Sequence, residues 1–175
     1  TDCADIDDII VFTKEGKMIV TKVDAKTFVG KDIIHVAVFK KKDKRTIYNM
    51  IYKDGTGGST YVKRFSVTSV TRDREYDMTN GKKGSGVLYF SANPNGEAEV
   101  VTVYLRAVGN IKKLKFDLDL ADVLIKGRNS KGNIVTKHSV RTIDLKEKGV
   151  STLKPRKIWF DDTVQLLNVD GRGEL

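Results

Sequence analysis

The sequence predicts an all-β fold in which four-stranded antiparallel blades repeat in the manner of a propeller. Three observations support this prediction. An apolar strand, a polar turn with glycine and a return strand with Lys or Arg follow one another three times. Gly-rich basic turns that open onto a strand end at Gly86 and at Gly132, 46 positions apart (132 − 86), and one blade of such a repeat takes roughly 40–50 residues. The amphipathic helices that a helical repeat of this length would need are missing from the pattern.

The three repeats are predicted to be β-hairpins at residues 9–22, 47–65 and 100–116, with Gly16, Gly55 and Gly109 at their turns. Residues 33–39 are almost entirely apolar, which predicts a central strand that is buried on both faces. Further strands are predicted at residues 87–90, 123–126, 134–140 and 157–160.

Two segments interrupt the repeat. Residues 116–122 alternate acidic and apolar side chains, which is typical of an edge strand or a short turn. Residues 146–155 are predicted to link two blades, and Pro155 marks the restart of regular structure. A single domain would then hold three blades and the start of a fourth, at about residues 1–45, 46–97, 98–153 and 154–175.

The charge of the chain favours a polyanionic partner. The formal net charge is +9 and the sequence pI is about 9.5, and the basic residues recur at corresponding places in the repeat. The alternative interpretation is a lysine-rich surface that only keeps the protein in solution. Cys3 is the single cysteine, so the sequence offers neither a disulfide framework nor a cysteine-based zinc site. We find no apolar run of about 20 residues and no signal-peptide pattern. Both ends look cut, so a segment of a longer protein is expected.

Candidate catalytic groups are weak. His35 lies in an apolar strand, where a half-buried core residue is expected, and His138 stands beside Lys137 without a second ligand. The acidic segments at 5–8 and 161–162 have no histidine or further ligand to complete a metal site, and they are interpreted as turn caps. Trp159 and Phe160 are interpreted as core anchors, and the strand tyrosines as packing residues. A free-standing enzyme is therefore the least favoured class.

The order of these motifs resembles the C-terminal β-pinwheel domain that type IIA DNA topoisomerases carry on their A subunits. Residues 13–17, between two strands, resemble the first blade hairpin of that family. Residues 126–134 resemble its Gly/Arg turn between blades, and residues 100–116 resemble the hairpin again. The resemblance covers essentially the whole chain. It favours topoisomerase IV over the related gyrase, because no segment matches the Gln-Arg-Arg-Gly-Gly-Arg-Gly box of gyrase.

This resemblance implies a domain that binds and bends duplex DNA around its outer rim without sequence preference, for decatenation and relaxation. The active-site tyrosine, the metal-binding carboxylates and the ATPase of the parent enzyme would lie outside this chain. The resemblance thus implies no catalytic residue, no metal ligand and no cofactor here, with ATP and Mg²⁺ used elsewhere. The implied partners are duplex DNA, the A-subunit core of the parent enzyme and its ATPase-bearing B subunit. We expect a cytoplasmic, nucleoid-associated location away from the membrane.

Cations on the return strands and in the Gly-rich turns are the candidate DNA-binding residues of this rim. Lys and Arg neutralise phosphates, and glycine lets backbone N–H groups approach them. The candidates are Lys63, Arg64, Lys82, Lys83, Lys112, Lys113, Lys115, Arg128, Lys131, Lys137 and Arg141. Each could also be an ordinary solvated charge, and the basic run at residues 40–45 is interpreted as a solubilising loop. A protein-binding propeller with a basic surface and no role with DNA is the alternative function.

Overall fold

The structure is a computed structural model that describes residues 3–24, 26, 28–153 and 158–169. These ranges contain no helix that could span a lipid bilayer. A 3-10 turn covers Leu120–Asp122. The strands are β1 (Asp8–Thr13), β2 (Lys17–Lys22), β3 (Ile33–Phe39), β4 (Ile47–Lys53), β5 (Thr60–Ser66), β6 (Tyr76–Asp77), β7 (Gly86–Asn93), β8 (Glu97–Leu105), β9 (Lys115–Asp119), β10 (Ile125–Gly127), β11 (Asn133–Thr136), β12 (Val140–Ser151), β13 (Ile158–Asp161) and β14 (Leu166–Val169).

These strands form a series of mainly antiparallel sheets, which confirms the predicted all-β blade array. The first sheet has the order β3-β1-β2-β6, and the second has β7-β4-β5 with β10 and β11 both on the far side of β5. The third sheet has the order β12-β8-β9, and β13 pairs with β14. Each of the first three sheets is built on one predicted hairpin, and these hairpins are β1–β2, β4–β5 and β8–β9.

Successive sheets are interlocked by strands that come from further along the chain. β6 follows the second hairpin, yet it pairs with β2 of the first sheet, Lys17 opposite Asp77. In the same way β10 and β11 follow the third hairpin and pair with β5 of the second sheet. A sheet is therefore not one continuous range of sequence, and the edge of each of these two hairpins is covered by its neighbour.

The apolar core lies in two clusters, one on each side of the second sheet. Phe12, Met18, Met50 and Phe65 belong to the cluster shared with the first sheet, and Val62 belongs to the cluster shared with the third. Since side chains alternate between faces along a strand, β5 sends Phe65 to one cluster and Val62 to the other. The second sheet is thus buried on both faces, and every residue of β5 from Thr60 to Phe65 is buried.

The position of β3 corrects the sequence interpretation. We predicted a central, doubly buried strand at residues 33–39, but β3 is the edge of the first sheet. Its side chains Ile34 and Val36 are 37% and 51% exposed. An apolar run carries no information about which strands will pair on either side, so it could not distinguish this edge from the centre.

Three further features differ from prediction near the third hairpin and beyond it. The return strand begins at Lys115, so the connection after β8 is a long loop. The predicted linker at 146–155 is largely strand, because β12 continues to Ser151 and pairs along β8. Phe160 is 52% exposed and does not act as a core anchor. The side chain of Trp159 lies outside the described residues. The expected edge strand and turn at 116–122 are confirmed as β9 and the 3-10 turn.

The two Gly-rich basic turns occupy different places in the fold, although the sequence suggested one recurring element. β6 and β11 are equivalent, because each pairs antiparallel with the start of the second strand of a hairpin. The turn at residues 81–86 follows β6, whereas the turn at residues 127–132 precedes β11. Their spacing therefore does not mark equivalent positions, and the two turns have separate structural roles.

Candidate nucleic-acid interface

Two of the eleven candidates, Lys63 and Arg64, are not on the surface. Their exposed fractions are 2% and 1%, so the prediction that places them on an outer rim is wrong. Both lie on β5, which β4 covers on one edge and β10 and β11 cover on the other. A basic pair on a return strand indicates a wet face only if the strand lies at the surface, and here that depends on strands much later in the chain.

Lys63 fastens the second Gly-rich turn to the sheet. Its ammonium donates hydrogen bonds to the carbonyl oxygens of Arg128 at 2.7 Å and Ser130 at 3.2 Å. It also lies 4.8 Å from the centre of the Phe65 ring. Burial lowers the pKa of Lys63 to about 8, while the negative charge of Asp77 opposes that shift. The charge of Lys63 is therefore used inside the protein.

The lowered pKa of Lys63 predicts that the free energy of unfolding increases as the pH rises into the alkaline range. The folded-state pKa of about 8 lies below the ordinary value of 10.5, so between these values the unfolded chain binds more protons and the folded state gains with rising pH. From about pH 7 to about pH 9.5, we expect the free energy of unfolding to rise by about 2 kcal/mol relative to Lys63→Met. Urea unfolding of both proteins across this range measures the difference.

Titration of the phenols of Tyr48 and Tyr89 does not mask this gain. Burial raises the pKa of both Tyr48 and Tyr89 to about 12, so their phenols stay protonated in the folded state over this range. Any proton that these phenols lose in the unfolded chain is common to the wild type and Lys63→Met, and it cancels in the difference. Parallel stability curves for the two proteins would contradict the assignment of a buried, proton-releasing lysine.

A first group of cations comes from the two Gly-rich turns beside the β4–β5 hairpin, and we name it the hairpin-end cluster. Lys82 and Lys131 lie near the connecting turn of the hairpin, whereas Arg128 follows Gly127, which is opposite Ser66 at the other end of β5. Lys82 pairs with the buried carboxylate of Asp54 at 3.0 Å, and Lys83 is exposed beside it. The pKa of Lys82 is raised, first by its hydrogen bond to Asp54 and, more weakly, by nearby Tyr61. The ammonium of Lys131 lies 4.8 Å from the centre of the Tyr61 ring. The members of the hairpin-end cluster are Lys82, Lys83, Arg128 and Lys131.

Arg128 is the most constrained member of the hairpin-end cluster. It is half-buried, and its guanidinium donates to the carbonyl oxygen of Ser69 and lies 4.8 Å from the centre of the Tyr76 ring. Arg74 approaches the same ring at 5.4 Å. Because Tyr76 belongs to β6 of the first sheet, the second Gly-rich turn bridges the first two blades.

The rings under these cations were not predicted from the sequence, which suggested only packing roles for the strand tyrosines. Tyr61 stacks on Tyr52 at 5.7 Å and is buried, but its ring also supports Lys131. A ring beneath a cation fixes the position of the charge without neutralising it. The sequence held no local signal for these pairs, because their members are far apart along the chain.

A second group of cations, the third-blade cluster, lies around the β8–β9 hairpin. Lys115 is opposite Tyr104 in the sheet, and the guanidinium of Arg141 lies 5.7 Å from the centre of the Tyr104 ring. Lys112 and Lys113 are exposed and line an open groove of about 850 Å³ that Phe116 also lines. The members of the third-blade cluster are Lys112, Lys113, Lys115, Lys137 and Arg141, and all of them are exposed. Lys137 is included because its neighbours Thr136 and His138 line the same groove.

Lys146 is a further cation of the third blade, although it was predicted to lie in a linker. Its ammonium contacts Asp117 at 2.7 Å, and the pKa of Asp117 is lowered mainly by this bond and by the hydroxyl of Thr102. An alternating pattern from Thr142 to Lys146 was the available signal for a strand here. Asp117 makes this blade face less positive than its lysines alone suggest.

Both clusters consist of lysine and arginine side chains on surface turns and strands, without a catalytic or metal-binding group among them. His35 is half-buried against Phe12 and Phe90, and burial lowers its pKa, as expected of a core residue. His138 lines the third-blade groove beside Lys112. In the described part of the chain, no three His, Cys, Asp or Glu side chains are grouped to hold a metal ion. The arrangement favours electrostatic binding of an extended anion.

Comparisons with known proteins identify the family of this chain. The profile of the family described as "Topoisomerase C-terminal domain, Bacteroidota" matches residues 2–148. A curated relative, the A subunit of DNA topoisomerase 4 from Borreliella burgdorferi, is 23% identical over 141 residues, which cover 80% of this chain and 21% of the relative. The chain thus spans about a fifth of that relative's length. Since the family profile matches most of its residues, the chain belongs to the topoisomerase C-terminal domain family of Bacteroidota.

Proposed function

We propose that this domain binds duplex DNA through its phosphates and bends it, as the C-terminal domain of the A subunit in a type IIA topoisomerase. The observation that carries the proposal is the hairpin-end cluster. It joins cations from two Gly-rich turns at the junction of two blades, in a chain of net charge +9 that belongs to a topoisomerase C-terminal family. The third-blade cluster would extend the same path.

The residue types favour phosphate contact over base reading. Lysines make up seven of the nine remaining surface candidates, and they act as point charges. They are also the only fully exposed members of the hairpin-end cluster. Base reading in the major groove needs paired donors such as the arginine fork or a side-chain amide. Arg128 and Arg141 both lie against tyrosine rings. Binding without sequence preference is therefore expected.

Bending requires contacts at more than one point along the duplex. Smooth bending of 20–30 base pairs by 40–90° costs roughly 1–6 kcal/mol. Released counterions can offset this cost when several phosphates are neutralised. The hairpin-end cluster is centred on the second sheet, whereas the third-blade cluster is centred on the third. A rigid body with separated cationic groups can impose curvature, whereas a single group could only hold the duplex.

The parent enzyme is proposed to be a topoisomerase IV that decatenates and relaxes DNA. Its support is the Borreliella burgdorferi relative and the absence from this sequence of a gyrase-type box. In such an enzyme the domain works beside the A-subunit core and the ATPase-bearing B subunit, at the nucleoid. ATP and Mg²⁺ act elsewhere in that enzyme, and this domain supplies only DNA positioning.

A salt titration of duplex binding by the 175-residue chain tests the proposal. The logarithm of the binding constant should fall linearly with the logarithm of salt concentration, with a slope of about −0.9 per neutralised phosphate. We expect a slope of about −3 if Lys83, Arg128 and Lys131 act alone, and about −7 if the five cations of the third-blade cluster join them. Lys82 is left out of both values because Asp54 already pairs with it. Shortening of the end-to-end distance of a labelled 30-base-pair duplex would report the bend.

Two controls sharpen this experiment. Scrambled duplexes of equal length should bind within about twofold of one another if no base is read. A chain that binds no duplex at about 0.1 M salt would overturn the proposal and favour the protein-interaction alternative.

A further inference from the structure

The second Gly-rich turn is held from its inner side by two buried side chains of the β4–β5 hairpin. The ammonium of Lys63 donates to the carbonyl oxygens of Arg128 and Ser130. The hydroxyl of Tyr52 donates to the carbonyl oxygen of Lys131 at 2.7 Å. Three carbonyl groups of one short turn are therefore tied to the sheet below it.

The backbone of the turn lies unusually close to that sheet. β10 runs beside residues 64–66 and β11 beside residues 60–62, so the turn passes over Lys63 between them. Gly132 has a φ of +87°, and a Cβ atom there would lie 2.3 Å from the carbonyl oxygen of Val62. Only glycine fits this approach, and it brings the carbonyls of the turn within hydrogen-bond distance of a buried ammonium.

We propose that Lys63 is a positioning residue for DNA binding, which acts through the turn and never touches the duplex. With the carbonyls of the turn bound to Lys63 and Tyr52, the side chain of Lys131 rests on Tyr61 and that of Arg128 on Tyr76. The turn is thereby preorganised, and binding costs less conformational entropy than it would for a mobile loop. This inference rests on the proposed function, since it names the residue that sets the geometry of that interface.

The test uses Lys63→Met in the full chain, with Lys148→Met as the matched control. Lys148 is exposed on β12 and belongs to neither cluster. Both variants lose one positive charge, but only Lys63→Met releases the turn. We expect duplex affinity at about 0.1 M salt to fall about tenfold for Lys63→Met, with the salt slope reduced by about 0.9 for a lost phosphate contact. Lys148→Met should change affinity by less than about twofold.

Hydrogen exchange without DNA separates this inference from the proposed function. The amide of Ser130 donates to the carbonyl oxygen of Gly127 within the turn, and its exchange should accelerate at least about tenfold in Lys63→Met. Unchanged exchange overturns the inference whether or not DNA binds. The inference is also overturned if the wild type binds DNA but Lys63→Met and Lys148→Met have the same affinity and the same salt slope. Failure of the wild type to bind DNA overturns the proposed function, and with it any role of Lys63 in binding.

Tyr52→Phe provides a second variant in case Lys63→Met does not fold. It removes the single hydrogen bond to Lys131 and keeps the ring that stacks on Tyr61. We expect faster exchange in the turn and an affinity loss of about threefold, the lower part of what one lost hydrogen bond produces. Wild-type exchange and affinity in a folded Tyr52→Phe would overturn the inference.

Discussion

Replacing Arg64 by Met is expected to lower the free energy of unfolding by about 3–5 kcal/mol, the usual loss when one member of a buried charged network is removed. The guanidinium donates to Asn49 Oδ1 at 2.9 Å, to the carbonyl oxygen of Gly96 at 3.0 Å and to Thr152 Oγ1 at 3.0 Å. Longer bonds of 3.3 Å reach the carbonyl oxygens of Leu120 and Glu97. Met fills most of the volume but leaves Asn49 Oδ1 without its donor and removes one donor from each of the three carbonyl oxygens, which keep their bonds from Thr152, Asn49 and Val123.

The loss extends beyond the bonds of Arg64 itself. Asn49 also donates to a carboxylate oxygen of Glu99 at 2.6 Å, so Asn49 links the buried guanidinium to a buried carboxylate. Glu99 is 7% exposed. Its negative charge interacts favourably with the positive charge of Arg64. The partners come from β4, the start of β8, the 3-10 turn and the segment after β12. Arg64 therefore ties the second blade to the third.

Urea unfolding measures this effect, with Arg106→Met as the control because Arg106 is exposed on the loop after β8. The control should stay within about 0.5 kcal/mol of the wild type, as most surface substitutions do. Arg64→Lys keeps a charge but loses the planar fork, so it should also be clearly destabilised. A loss below about 1 kcal/mol for Arg64→Met at unchanged m-value would show that the network contributes little.

The hairpins were predictable from sequence because their signals are local. A strand, a Gly-bearing turn and a second strand lie within about 20 residues, and turn chemistry fixes their pairing. The interlocking of blades was not predictable in this way. The sequence of residues 60–66 carries no signal that residues 125–127 and 133–136 will pair with the free edge of this strand. For this reason the sequence could predict the class of fold but placed β3 at a centre and Lys63 and Arg64 on a rim.

The candidate site residues differ in the same way: some could be predicted from local sequence and others depend on distant contacts. Cations in turns, such as Lys83 and Lys131, are exposed as predicted, because a turn reaches solvent in almost any packing. Cations in strands depend on which face and edge remain open, so Lys115 is exposed on β9 while Lys63 is buried on β5. The aromatic supports at Tyr61 and Tyr76 depend on contacts between distant segments and have no local signature. Whether these residues bind DNA stays a prediction.

Reversing two charges of the hairpin-end cluster should have the largest effect on DNA binding. The variant Lys83→Glu/Lys131→Glu avoids Lys82, whose partner Asp54 is buried and would repel a new carboxylate. At about 0.1 M salt each phosphate contact contributes about 0.9 to the base-ten logarithm of the binding constant. Loss of two contacts therefore weakens binding by about 60-fold, and repulsion by the new carboxylates increases the loss to about 10²-fold or more. The salt slope should fall by about 1.8.

A matched variant separates the position of these charges from their sum. Lys22→Glu/Lys148→Glu changes the net charge equally, and both lysines are exposed outside the two clusters. It should weaken binding much less, because neither lysine is expected to contact a phosphate and salt screens charges that act at a distance. The variant Lys112→Glu/Lys113→Glu then tests whether the third-blade cluster contacts the same duplex. If it weakens binding as strongly as the hairpin-end variant, the duplex contacts both clusters, and the end-to-end distance of the labelled duplex then shows whether it curves between them. If the matched variant weakens binding as much as either, only net charge matters, and the two clusters do not form an interface.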